Sequence, residues 1–117
     1  MIKPLISLPL VASLLAACHH APAAVPAVLA DDTQAVRATL AARLGEAIGR
    51  ANVTLGAGDL TTSSTVSVLP PPLGEHETRS PATPSLFTLT LIDGDCYAVP
   101  ENDGAPIALP DVPCRPL

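Results

Sequence analysis

With six Lys and Arg against eleven Asp and Glu in 117 residues, the chain lacks the clustered positive charge that nucleic acid and anionic headgroups demand, which argues against both as partners of the folded part. One Phe, one Tyr and no Trp leave few aromatic anchors for a tight interface or for base stacking, so any binding face is mainly aliphatic or polar.

The first residues read as an export leader. Lys3 and the amino terminus form a small positive region, and Leu5 to Leu14 form an apolar run of about ten residues. That run is too short to span a bilayer, which needs roughly 20 apolar residues, and it ends at His19, His20 and Pro22. The stretch Leu15-Ala16-Ala17-Cys18 resembles the lipobox of bacterial lipoproteins, in which an aliphatic residue and two small ones precede a cysteine that is lipidated and becomes the mature N-terminus. The resemblance implies cleavage after residue 17 and a diacylglyceryl group on Cys18, usually joined by an N-acyl chain such as palmitate. Two or more chains make anchoring stable. It places the protein in the cell envelope; His19 is not the aspartate that resembles a retention signal, so in a Gram-negative cell the outer membrane, facing the periplasm, is favoured. An ordinary secretory signal cleaved at Ala21-Pro22-Ala23 is the alternative.

Lipidation of Cys18 leaves Cys96 and Cys114 as an even pair, expected as a disulfide of an exported domain. No C-x-x-C spacing favours redox chemistry, and no metal or cofactor site is expected. Removing residues 1–17 deletes the only lysine and leaves five arginines against eleven carboxylates, a net charge of −6. Residues 18–30 read as the lipidated cysteine and an Ala/Pro tether; residues 19–30 would span roughly 35–40 Å as polyproline II. His19 and His20 are taken as solvated tether residues.

A helix is expected from Asp32 to Arg50, with Asp31 as N-cap and Gln34 as its capping-box partner. At 100° per residue Val36, Leu40, Leu44, Ala47, Ile48 and Ala51 share one apolar arc. Arg37 falls inside that arc and is expected to snorkel to water. Glu46 and Arg50 have the spacing of an ion pair. Val53 to Leu55 reads as a short strand, the glycine-rich run at 56–59 as a turn, and Thr65 to Leu69 as a strand stopped by Pro70-Pro71-Pro72. Residues 70–85 read as an exposed loop.

Leu86 to Ile92 alternates as a strand with one buried face, and Asp93-Gly94 signals a type I′ hairpin into Cys96–Val99. A two-residue loop pairs Leu91 with Cys96 and Leu89 with Ala98; a three-residue loop including Asp95 would shift that register by one. Asn102-Asp103-Gly104 is a second turn, and Pro106 to Leu109 a proline-limited edge strand. Asp93, Asp95, Glu101 and Asp103 lack the spacing of a calcium loop, because Tyr97 breaks it.

The expected architecture is a single α+β domain over residues 31–117: one N-terminal amphipathic helix packed on a small antiparallel β-meander, with one disulfide. No catalytic constellation stands out. The preferred reading is a noncatalytic lipoprotein, anchored in the membrane through its lipid, that binds an envelope protein or a cell-wall component; composition sets no oligomeric state. The second reading is a small periplasmic hydrolase or ligand carrier using His76, which lies between Glu75 and Glu77.

Overall fold

A computed structural model describes residues 23–73 and 83–117. Cys18, His19, His20 and His76 lie outside the described residues, as does the leader. Among the described residues the fold is α+β: one helix and a six-stranded antiparallel sheet. The strands are β1 (Ala24–Leu29), β2 (Thr65–Val68), β3 (Ser85–Ile92), β4 (Asp95–Pro100), β5 (Ile107–Ala108) and β6 (Cys114–Pro116), and the helix α1 (Gln34–Ile48) follows β1.

Strand β1 corrects the tether reading. Residues 24–29 are a central strand rather than a spacer, and Ala27, Val28 and Leu29 are buried. The sheet therefore already includes Ala24, seven residues before Asp31, and among the described residues the helix follows a strand rather than opening the fold. Pro26 is tolerated because backbone alternation turns its missing N–H toward β6, at the open end of the ladder; its carbonyl accepts from Leu117 N at 3.0 Å. The neighbouring backbone groups face the other way. Ala23 O accepts from Asp93 N at 3.2 Å, and Leu29 N donates to Leu60 O at 2.8 Å.

The sheet is more than a meander. Its order is β5-β4-β3-β1-β6, with β2 also on β3. β1 and β2 share one edge of β3 end to end: Ala24 to Pro26 pair with Ile92 to Thr90, and Thr65 to Val68 pair with Thr88 to Ser85. Between them Leu89 N donates to Ser64 O at 2.7 Å, so the edge stays satisfied across the gap. The β3–β4 hairpin has the two-residue loop, with Leu89 opposite Ala98 and Leu91 opposite Cys96. Asp93 at φ 52° and Gly94 at φ 86° are the paired positive angles of a type I′ turn.

Helix α1 is set by side-chain caps. Thr33, rather than Asp31, is the N-cap, its hydroxyl accepting from Val36 N at 3.2 Å; Asp31, two residues earlier, accepts from Thr33 N. Leu40 and Leu44 are fully buried, with Val36 and Ile48 packed beside them, whereas Ala47 is exposed. The helix ends at Gly49, φ 74°, where Arg50 N bonds back to Gly45 O at 2.8 Å. The two helix leucines belong to one core cluster with Ala27, Leu29, Leu60, Val66, Val68, Phe87, Leu89, Ala98, Leu109 and Val112.

Arg37 does not snorkel. Its guanidinium bonds both oxygens of Asp32 at 3.1 and 3.2 Å and the carbonyls of Gly58 at 3.2 Å and Gly56 at 2.9 Å. Asp32 also accepts from Leu60 N at 2.9 Å, so the pair clamps the 56–60 loop to the helix start. The expected Glu46–Arg50 pair is replaced: Arg50 donates to Leu69 O at 3.0 Å, and Glu46 faces Arg43 at 3.7 Å.

Candidate functional site

Cys96 and Cys114 form the disulfide, with Cα atoms 6.0 Å apart. Their placement follows from the strands. Cys96 stands second in β4 on the same face as Ala98, and Cys114 opens β6 opposite Leu29. β4 and β6 are three inter-strand steps apart in hydrogen-bond order, which in a flat sheet is roughly 14 Å. The bridge at 6.0 Å therefore requires a strongly curled sheet, closed by sulfur where hydrogen bonds do not reach.

Beside the disulfide lies an open cleft of about 360 Å³. Its walls are β4 from Asp95 to Tyr97 and the chain from Ala108 to Val112, with Leu91 and Gly94 at the hairpin end. Leu109 N donates to Cys96 O at 2.9 Å, and Val112 N to Leu109 O at 3.2 Å, fixing the second wall as a tight turn. That turn is also tied to the helix: Arg43 Nε and Nη2 reach the two oxygens of Asp111 at 3.1 and 3.0 Å. The hydrogen bond from Arg43, with its charge, holds the Asp111 carboxyl below its usual value, and the same bond raises Arg43. Asp59 is likewise lowered, chiefly by the Thr61 hydroxyl at 2.6 Å.

The cleft combines aliphatic side chains and the disulfide with one phenol, Tyr97, and one carboxylate, Asp95. Among the described residues of that lining, no side chain couples a nucleophile to a base. The four carboxylates of the 93–103 segment do not converge. Asp93 and Asp95 sit at one end of β4, and Glu101 and Asp103 at the other.

Both outer strands are blunted. β5 is two residues long between Pro106 and Pro110, and β6 starts after Pro113 and ends on Pro116, so neither offers a long free edge to another strand. The cleft wall at 109–112 was not visible as a site in the sequence, where this segment reads only as the tail fastened by Cys114. The signal available was the disulfide itself, which forces the Pro110-Asp111-Val112-Pro113 turn against β4. Comparisons with protein-family models, with curated proteins and with solved structures found no match.

Proposed function

We propose that this chain is a noncatalytic envelope lipoprotein, anchored in the membrane through lipid on Cys18, whose domain binds an envelope protein or a cell-wall component. The observation that carries the reading is the cysteine account. Three cysteines are present, Cys96 and Cys114 bond each other, and the one left over is the cysteine that ends Leu15-Ala16-Ala17-Cys18. A disulfide closing so small a domain fits an oxidising compartment beyond the cytoplasm. The acidic charge and the mixed polar and aliphatic cleft fit a protein or glycan partner better than a nucleic acid. In a Gram-negative cell His19 favours the outer membrane.

The test is Cys18→Ser. Radiolabelled palmitate should enter the parent and not the variant, and the variant should leave the membrane fraction with its fold intact, because anchor and domain occupy different segments. Equal labelling of the two proteins would sink the assignment.

A further inference from the structure

Chain connectivity distinguishes the two ends of the sheet. Ala24 lies opposite Ile92, and Ala23 O accepts from Asp93 N at 3.2 Å, so the chain enters the sheet beside the β3–β4 turn. Residues 19–23 separate Cys18 from this entry. Fully extended, that stretch reaches about 20 Å. From the turn, the eight residues of β3 run about 26 Å away, to the end where Ser85 and Pro100 lie.

Surface chemistry alone does not separate the ends. Val25 and Leu117 are exposed near the entry, and Leu69 and Leu86 toward the far end. Asp93 and Asp95 flank one turn, Glu101 and Asp103 the other. The length of the covalent link does separate them, because it is shorter than the sheet.

We infer that the entry end, comprising the first residues of β1 and the Asp93–Asp95 turn, is the surface held against the lipid bilayer, with the 101–104 turn directed away from it. The inference rests on the lipoprotein reading of Cys18. The turn carboxylates keep their hydration and are repelled by anionic headgroups, so this end stands over the headgroups rather than entering them. The cleft beside the disulfide has Leu91, Gly94 and Asp95 in its walls and belongs to this membrane-proximal half. A partner of that cleft is therefore met close to the bilayer.

The test uses the lipidated protein in phosphatidylcholine vesicles carrying a small fraction of acceptor-labelled lipid. A donor fluorophore is placed at Asp95→Cys or at Glu101→Cys, Cys18 being acylated and the native pair oxidised. Ala24→Cys and Ala105→Cys form a second pair should either first variant fail to fold. Energy transfer to the lipid should be higher from position 95 than from 101, and from 24 than from 105, at every acceptor density. Equal or reversed transfer, with lipid present by intact mass, overturns the orientation alone. An intact mass equal to the bare polypeptide overturns both the orientation and the lipoprotein reading.

Discussion

Replacing Arg37 with leucine separates helical periodicity from the observed clamp. By periodicity the change is favourable: the position lies in the apolar arc, and leucine matches arginine in helix propensity. By structure it removes four hydrogen bonds, two to Asp32 and one each to the carbonyls of Gly56 and Gly58. The Arg37 side chain is 26% exposed and that of Asp32 15%, so water screens part of the interaction. Taking about 1 kcal/mol for each carbonyl and about 1 for the screened ion pair, the loss is about 3 kcal/mol before the leucine recovers some by burial. A net loss of about 2 kcal/mol lowers the melting temperature of a domain this small by on the order of 10 °C. The assay is thermal and urea unfolding followed by circular dichroism, in the unanchored Cys18→Ser background. Asp32→Asn is the control; its one amide oxygen keeps an acceptor for Leu60 N, while the charge and the second oxygen facing Arg37 are lost and both carbonyl bonds of Arg37 remain, so its cost should be smaller. An Arg37→Leu protein that melts at or above its parent would refute the clamp.

Replacing Cys96 and Cys114 together by serine should cost about 3 kcal/mol in the chain-entropy account of a loop of this length, read as a lower denaturation midpoint; two free thiols in the unreduced protein would contradict the bridge outright. Gly45→Ala should destabilise despite alanine's higher helix propensity, because a Cβ there meets the backbone carbonyl of Arg50 at 2.7 Å; an unchanged or raised melting temperature would show that the helix end relaxes freely. The Arg43–Asp111 pair makes stability depend on acid. Asp111 has its folded pKa lowered, so its contribution is present above the ordinary carboxylate pKa and is lost as pH falls through the folded value. Asp111→Asn should therefore flatten that part of the acid-unfolding curve, and a curve parallel to the parent's would remove the pair from the account.

The strands with one buried face were legible, and so was the hairpin. Leu86 to Ile92 alternates because its pleat has a core side, and Asp-Gly at 93–94 admits the two positive φ angles that fix its register. Both signals are local. What the sequence hid was non-local. β1 is Ala-Val-Pro-Ala-Val-Leu, with no polar residue to alternate against and a proline in its middle, which are the marks of a linker. It is nevertheless a strand, because β3 flanks its first half and β6 its second, and with its first three residues exposed and its last three buried it shows no alternation. Arg37 departs from the helical pattern for a related reason. Its four acceptors are supplied by Asp32 before the helix and by a glycine loop about twenty residues later, and a helical wheel contains neither.

The presence of residues 24–29 in the sheet changes more than a boundary. A tether over 19–30 would reach roughly 35–40 Å and leave the domain free to turn any face to a partner. Residues 19–23 alone reach about 20 Å, less than the roughly 26 Å length of β3. With Cys18 lipidated as proposed, orientation would follow from the hydrogen bonds that seat β1, and the disulfide would acquire a mechanical role. A pull on Cys18 would enter the sheet through Ala24 and pass along β1 to both neighbours, β3 through Pro26 and β6 from Ala27 onward. β6 is three residues long, two of its flanking or internal positions are proline, and its ladder alone is a weak hold. The Cys96–Cys114 bond ties β6 to β4, so the load on β1 reaches the β3–β4 hairpin from both sides. On the proposed anchoring, the residue pair that closes the curled sheet would also be the pair that keeps β1 in place under load.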